Sequence, residues 1–294
     1  MEGAAVTCLI LQSVRDRSFR CSTLTAALGG QDRYSGILPL VGGTAFHVAK
    51  NWDDHIVSTE EVARTPGFAA LRDRILELAQ PAAGEHVVDV GAGTGLLALP
   101  LAEVVDRVWA IDISEPMCRY LDAKAASAGL ENVRTATSSA VSLPLVDSSA
   151  DLVVSNYCLH HLSHADKARA LAEMGRVLRP GGRLVLGDMM FSLSPADPRS
   201  RRLMLDKVRG LLTLGPRGLL RIVKNALRVL TRSWEKPVSS DWWREALERA
   251  GFEQVNVEPL EHEGGIASAR RPDGASMQLP SGGVPLATHS AVIG

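Results

Sequence analysis

The stretch that decides the fold runs from Val87 to Ala102 and reads VVDVGAGTGLLALPLA. A continuous apolar run is typical of a strand that is buried on both faces. Three glycines at alternate positions interrupt this run: Gly91, Gly93 and Gly95. A strand, a glycine-rich turn and a helix in this order turn bare amides and the positive end of the helix toward a ligand. Three ligands suit such a turn: a nucleotide phosphate, a dinucleotide or a sulfonium nucleoside.

The spacing of the glycines separates these three ligands. A phosphate-binding loop needs G-x-x-x-x-G-K-[ST], and no lysine follows this turn, while dinucleotide folds use G-x-G-x-x-G and this turn reads G-x-G-x-G. Asp89 places a carboxylate at the end of the strand, which disfavours a pyrophosphate and suits the positive end of an amino acid. Asp112 ends the next strand, about twenty residues on, where a carboxylate can accept both hydroxyls of a ribose. A ribose and an amino acid without a phosphate indicate S-adenosylmethionine.

Strands and amphipathic helices alternate on both sides of this turn. Apolar strands are expected at 86–91, 107–112, 133–137, 151–156 and 183–188. The pattern predicts a doubly wound α/β fold whose mostly parallel sheet is covered by helices on both faces. A helix and a strand are expected within 241–260, and 264–270 is expected to return as a last strand beside them.

The organisation along the chain follows from where this pattern begins and ends. Residues 1–48 have no sustained period, which favours a disordered lead or translated sequence upstream of the true start. Residues 49–270 form the predicted domain, with an inserted helical lid at about 192–240. Residues 271–294 are rich in Pro, Gly and Ser and are predicted to be a disordered tail.

The composition excludes several classes of protein. The chain has 32 Lys and Arg against 33 Asp and Glu, for a formal net charge of −1, so no global field draws it to nucleic acid or a membrane. Its four cysteines show no C-x-x-C spacing, which argues against a disulfide framework or a zinc knuckle and suits a reducing compartment. No basic, apolar leader of the signal-peptide type begins the sequence. We therefore expect a cytoplasmic protein.

The motifs together resemble those of the class I S-adenosylmethionine-dependent methyltransferases, in the small-molecule branch that includes the quinone methyltransferases. The residues that carry the resemblance are the DVGAGTG turn, Asp112 and LRPGGRLVLGD at 178–188, and it extends over roughly 52–271. It implies a seven-stranded sheet with one antiparallel strand near an edge. It also implies a set of cofactor-binding residues: Asp89, Gly91, Ala92, Gly93, Gly95, Asp112, Ile113, Met117, Ser139, Ala140 and Asn156.

Each part of the cofactor has its own residues in this resemblance. The glycine turn and Asp89 line the methionine part, Asp112 holds the ribose, and Met117 packs on the adenine side. The segment TSSAVSLPL resembles the adenine-binding stretch, although Ser139 stands where the family usually has an aspartate. Trp52 and Asp53 resemble the family's N-terminal pair that folds over the cofactor.

The catalytic candidates follow the fourth predicted strand, in SNYCLHHL at 155–162. Methyl transfer needs an aligned nucleophile and, for some acceptors, a base. His160 or His161 is the natural base, because an imidazole titrates near neutral pH, and Tyr157 could contact the cofactor or the acceptor. The alternative is structural, with the histidine pair ordering the loop. The resemblance favours that alternative, because this pair is common to family members with different substrates.

Several competing interpretations meet specific objections. Tyr120-x-x-x-Lys124 matches the catalytic pair of short-chain dehydrogenases, but it falls on the helix after the second strand, too early to lie beside a nicotinamide. No spaced carboxylate or cysteine completes a metal site with His160, His161 and His164. No [N/D/S]-P-P-[Y/F] run follows the fourth strand, which disfavours amines of nucleobases. A non-catalytic binding subunit with the same fold stays open as an alternative.

The inserted segment at about 192–240 indicates what kind of acceptor the protein methylates. Five basic residues fall on one helical face from residue 217, with apolar residues on the rest: Arg217, Arg221, Lys224, Arg228 and Arg232. A helix over 217–233 of this kind is either a lid with a solvated basic face or an element that lies on an anionic membrane. In both cases the acceptor faces an apolar surface. We therefore expect a small, lipophilic acceptor. Methylation on oxygen or carbon is slightly favoured over methylation on nitrogen.

Overall fold

The computed structural model describes residues 55–191, 198–213, 215–216, 219–220, 236–260 and 263–274. The helices within these ranges are α1 (Ile56–Ala63), α2 (Pro66–Ala79), α3 (Ala98–Ala102), α4 (Glu115–Ser127), α5 (His164–Val177), α6 (Pro198–Leu212) and α7 (Ser240–Arg249). The strands are β1 (His86–Val90), β2 (Arg107–Asp112), β3 (Val133–Thr137), β4 (Ala150–Asn156), β5 (Leu178–Met189), β6 (Glu253–Pro259) and β7 (Gly264–Arg270). A short 3₁₀ turn, Leu159–His161, follows β4.

The described strands form one seven-stranded sheet in the order β3-β2-β1-β4-β5-β7-β6. The first five strands are parallel to one another, and β7 is antiparallel to both β5 and β6. This arrangement confirms the predicted mostly parallel sheet with one antiparallel strand near an edge. β2 and β3 are added on one side of β1, and the chain then returns to place β4 and β5 on the other side. Ligands of doubly wound folds bind at this switch point, outside the carboxyl ends of the strands.

Helices cover the sheet on both faces, as the alternating pattern predicts. On one face, Ile75 of α2, Leu101 of α3 and Leu121 of α4 pack against strand residues, and all three are at most 1% exposed. On the other face, Met174 of α5 and Trp243 of α7 are fully buried. Burying an aliphatic side chain of this size stabilises a fold by about 1.5–3 kcal/mol. The two layers hold the carboxyl edge of the sheet in place.

Three elements differ from the sequence-based expectation. α3, expected from the sequence over 94–105, covers only Ala98–Ala102, with Pro100 in its first turn, where the missing amide hydrogen is tolerated. β5 begins at Leu178 rather than residue 183, because the strand continues through the Pro-Gly-Gly segment, where Gly181 takes a φ of 72° and the register with β4 shifts. α1 was not predicted, and none of its residues, all of which the structure describes, is buried.

Parts of the predicted organisation lie outside the described residues. These are the lead at 1–48, Trp52 and Asp53, most of the predicted helix at 217–233, and 275–294. Within the predicted lid, the structure describes α6 and a few neighbouring residues. Arg271 hydrogen-bonds Gly181 and Gly182 through its main chain, so the packed structure extends past residue 270. None of the described helices has both the length and the apolar composition that crossing a bilayer requires.

Candidate functional site

The glycine turn after β1 takes a backbone conformation that suits glycine at three positions. Gly91, Gly93 and Gly95 have φ angles of 75°, 51° and 90°. A Cβ atom on Gly91 would lie 2.3 Å from Cys158 Sγ, and one on Gly95 would lie 2.4 Å from a methyl of Leu121. At Gly93, by contrast, the nearest atom would be a Thr59 methyl at 3.7 Å. The turn therefore packs tightly on both flanks, and at its centre a Cβ would meet only an ordinary van der Waals contact.

Asp112, at the end of β2, fixes this turn from the neighbouring strand. One carboxylate oxygen accepts a hydrogen bond from the Gly93 amide (2.8 Å), and the other accepts one from the Ser114 amide (2.9 Å). Burial raises the pKa of Asp112, and the backbone amides that donate to it oppose this rise. Each carboxylate oxygen has about two acceptor sites, so both can still accept a hydroxyl.

Asp89 is buried within the same edge of the sheet, with 2% of its surface exposed. Its Oδ2 atom has no hydrogen-bond partner among the described residues, and neither has the buried Oδ1 of Asn156. Burial, together with the charge of Asp112, raises the pKa of Asp89 to about 7, while the Ala98 amide opposes this rise. Unpaired buried acceptors are costly, and a positively charged donor such as an ammonium group would satisfy them. These residues therefore fit the amino-acid end of S-adenosylmethionine.

The segment after β3 lies beside the end of β2. The Ser138 amide donates to the Asp112 carbonyl (2.8 Å), which brings the half-buried Ser139 and Ala140 to this edge. Ile113 is 62% exposed there. An exposed apolar side chain next to Asp112 suits the flat face of a base.

Two of the predicted cofactor residues are turned into the protein instead. Ala92 is 7% exposed, and its amide donates to the Ile111 carbonyl (3.0 Å). Met117 is 2% exposed at the start of α4, where its amide donates to the side chain of Ser114. The structure thus brings the predicted cofactor residues to one edge of the sheet, and it packs these two side chains beneath the surface.

The histidine turn, residues 157–163, follows β4 directly. Tyr157 has a φ of 49°, unusual for a residue other than glycine, and its ring centroid lies 5.7 Å from that of His160. The His160 Nδ1 atom lies 2.6 Å from an Asp188 oxygen, and the other Asp188 oxygen accepts the His160 amide (3.0 Å). The His161 ring centroid lies 3.9 Å from that of His160. The structure therefore joins the three predicted catalytic residues in one cluster.

Sequence reasoning missed two residues that hold this turn. Asp188, at the carboxyl end of β5, is 1% exposed. Lys167 is fully buried, and its ammonium group donates to the carbonyls of Leu162 (2.7 Å) and Lys236 (2.8 Å). Burial lowers the pKa of Lys167 to about 8. The sequence did carry a signal for Lys167, because this lysine shares the buried stripe of α5 with Ala170, Leu171 and Met174.

Within the described ranges, no group of three or more His, Cys, Asp or Glu side chains is arranged to hold a metal ion.

The Tyr120–Lys124 pair lies on α4, with the lysine ammonium 5.6 Å from the centre of the tyrosine ring. This lysine donates instead to the Thr94 carbonyl and to Glu60.

Comparisons with known proteins identify the class. Residues 87–182 match a family model described as a methyltransferase domain. The chain is 33% identical over 169 residues to the 27-O-demethylrifamycin SV methyltransferase of Amycolatopsis mediterranei (strain S699), covering 57% of this chain and 59% of that protein. It is 30% identical over 192 residues to the ubiquinone/menaquinone biosynthesis C-methyltransferase UbiE of Vibrio cholerae, covering 64% of this chain and 71% of that protein.

A solved structure shares the fold. The S-adenosylmethionine-dependent methyltransferase from Aquifex aeolicus aligns with a TM-score of 0.53 at 21% identity, covering 74% of this chain and 97% of that chain. The chain belongs to the class I S-adenosylmethionine-dependent methyltransferase family, whose cofactor is S-adenosylmethionine. It spans about half to two thirds of the length of the first curated relatives that it matches, between 47% and 64%.

Proposed function

We propose that this protein transfers the methyl group of S-adenosylmethionine to a small, lipophilic acceptor. The observation that carries the proposal is the pair of aspartates at the carboxyl edge of the sheet. Asp89 has an unpaired buried oxygen, and Asp112 holds the glycine turn while keeping acceptor sites. Two such carboxylates without a phosphate-binding lysine favour a cationic nucleoside over a nucleotide.

Each part of the cofactor has a place in this proposal. Asp112 accepts the ribose hydroxyls, and Asp89 with Asn156 faces the ammonium group. The glycine turn borders the methionine part, while Ile113 and the Ser139–Ala140 segment border the adenine. S-adenosylmethionine, when bound, supplies a methyl group on a positively charged sulfur. The remaining task of the chain is to align the acceptor, exclude water and remove a proton where the acceptor needs it.

The His160–Asp188 pair is the proposed base. Asp188 occupies the Nδ1 side of the ring, so Nε2 is the nitrogen that is left to accept a proton from the acceptor. The carboxylate fixes the ring orientation and stabilises the imidazolium that forms. Tyr157 and His161, which flank this ring, are proposed to border the acceptor.

The lipophilic character of the acceptor has two supports. α6, within the predicted lid, exposes four apolar side chains on one face: Met204, Leu205, Val208 and Leu212, exposed by 40%, 51%, 39% and 54%. The relatives' names refer to a rifamycin and to ubiquinone and menaquinone biosynthesis, and they specify methylation on oxygen and on carbon. The apolar face of α6 favours a lipophilic acceptor, and the relatives' names favour a quinone-like or polyketide-like one methylated at O or C.

The test is incubation of the purified protein with methyl-labelled S-adenosylmethionine and a fractionated extract of the source cells. We expect label in the organic phase, and we expect its loss with Asp112→Asn, which keeps the shape of the side chain but weakens the ribose contact. Label confined to water-soluble small molecules would keep the transferase and contradict the lipophilic acceptor. Cofactor binding without label in any fraction would favour a non-catalytic binding subunit.

A further inference from the structure

The ammonium group of Lys124 joins three separate elements of the fold. Lys124 itself belongs to α4, and its Nζ atom donates to the main-chain carbonyl of Thr94 in the glycine turn (2.9 Å). It also donates to the carboxylate of Glu60 on α1. The Tyr120 ring lies 5.6 Å away, so the aromatic residue adds a cation–π contact.

The Thr94 carbonyl belongs to the glycine turn, which the Gly95 amide closes by donating to the Ala92 carbonyl (2.9 Å). Thr94 lies between Gly93 and Gly95, both with positive φ, and it is itself only 2% exposed. Glycine gives a chain many accessible conformations, so a turn of this kind needs outside contacts to hold one of them. Asp112 holds the Gly93 amide and Lys124 holds the Thr94 carbonyl, so two side chains fix adjacent backbone groups.

α1 lies over this turn without an apolar anchor of its own. None of its residues is buried, yet a Thr59 methyl comes within 3.7 Å of the position that a Cβ on Gly93 would occupy. Its Glu60 side chain is only 12% exposed, against 33% for Lys124. Burial alone would raise the pKa of Glu60, but the hydrogen bond and charge of Lys124 leave this pKa below its usual value. Glu60 is therefore ionised at neutral pH, and this charged contact attaches α1 to α4.

We propose that Lys124 is a positioning residue for the cofactor, which holds the Thr94 carbonyl in place and, through Glu60, docks α1 over the glycine turn. The inference rests on the proposed function, since it assumes that the turn binds S-adenosylmethionine. Loss of the ammonium group would remove the side-chain contact to the Thr94 carbonyl and release Glu60 of α1 at the same time. The cofactor would then bind more weakly and leave faster, without loss of the fold.

The experiment compares Lys124→Met with Arg119→Met on the same helix. Arg119 pairs with Glu115 at the surface, with side chains 63% and 68% exposed, so it controls for the loss of one charge and one ion pair from α4. Calorimetry gives the Kd for S-adenosylhomocysteine, stopped-flow dissociation gives its off-rate, and thermal melting reports the fold. We expect Kd to rise about tenfold or more in Lys124→Met, mainly through the off-rate, and to stay within about twofold in Arg119→Met.

Two further variants keep the inference falsifiable. Glu60→Gln keeps the shape of the side chain and removes the charge, so it should raise Kd by less than Lys124→Met, and it substitutes for that variant if the latter does not fold. Lys124→Arg should restore part of the affinity. Equal Kd values for wild type, Lys124→Met and Glu60→Gln would overturn this inference and leave the proposed function standing. Failure of the wild type to bind S-adenosylhomocysteine would instead overturn the proposed function, and this inference with it.

Discussion

At the scale of single residues, Asp89 combines deep burial with an unpaired oxygen. Its pKa is raised from 3.8 to about 7, chiefly by burial and then by Asp112. At pH values between 3.8 and about 7, Asp89 holds a proton in the folded protein that the unfolded chain releases. This residue therefore makes the cofactor-free protein less stable as the pH rises through that range. A cationic ligand reverses the preference, because it favours the ionised carboxylate.

Asp89→Asn removes that titration, and two changes are expected. The fall in melting temperature of the cofactor-free protein between about pH 4 and 7 should become shallower, by roughly 2–4 °C for each kcal/mol of destabilisation that the substitution removes. The affinity for S-adenosylmethionine should drop about tenfold or more. Thermal melts across this range and calorimetric titrations measure both effects. An unchanged slope together with unchanged affinity would show that Asp89 neither titrates in this window nor contacts the cofactor.

His160 is the residue on which the proposed proton transfer depends. A general base contributes about 10²–10⁴-fold to a rate, so His160→Gln should lower kcat by about a hundredfold or more. His161→Gln, which alters the neighbouring ring, should lower kcat by less than about tenfold. Steady-state rates with the acceptor that the labelling experiment identifies, together with thermal melts, distinguish a catalytic role from a structural one. If His160→Gln lowers the melting temperature but leaves kcat within about threefold, the pair with Asp188 is an anchor and not a base.

At the scale of elements, the glycine turn depends on its close approach to the residue after Tyr157. Ala at Gly91 would combine a positive φ with a contact of 2.3 Å to Cys158 Sγ, so Gly91→Ala should cost roughly 2–5 kcal/mol of folding free energy. Gly129 has a φ of 70° but nothing within 4 Å of a Cβ, so Gly129→Ala isolates the backbone contribution of about 1–2 kcal/mol. Urea denaturation of both variants measures the difference, and equal losses would contradict the packing argument.

The elements that the sequence predicts best are those whose pattern is local. β2 and β3 have the predicted bounds, because β2 is a mostly apolar run and β3 a short run rich in β-branched residues, and each ends at a polar residue. α1 has no such pattern, because its contacts are made through Glu60 and Thr59 rather than through a buried stripe. Its position depends on a lysine 64 residues away, which no local pattern records.

The residues of the site likewise fall into those that the sequence predicts and those that only the fold brings together. Asp89 and Asp112 could be predicted, because Asp89 directly precedes the glycine turn and Asp112 ends the next strand, about twenty residues on, where a β-α-β unit returns the chain to the same edge. Asp188 lies 28 residues from His160 along the chain, and only the parallel pairing of β4 with β5 brings the two together. The main-chain partners of Lys124 and Lys167 likewise come from loops that the fold alone assembles.

At the scale of the whole molecule, a local basic and apolar surface contrasts with a net charge of −1. α6 exposes Arg201, Arg202 and Arg209 together with its apolar face, and further basic residues follow at 217–233, outside the described ranges. If this insertion contacts membranes, vesicles with anionic lipid should sediment the protein at low salt, and about 0.5 M salt should release it. Vesicles of neutral lipid are the control. Absence of salt-sensitive binding would leave the insertion as a cover for the acceptor.

The turn from Gly91 to Gly95 is proposed to bind S-adenosylmethionine rather than a dinucleotide. Calorimetric titration of the wild type and of Asp112→Asn, with S-adenosylmethionine and with NADH, distinguishes the two ligands. We expect saturable binding of S-adenosylmethionine that weakens about tenfold or more in Asp112→Asn, and no binding of NADH by either protein. Binding of NADH, or affinity for S-adenosylmethionine that Asp112→Asn leaves unchanged, would contradict this proposal.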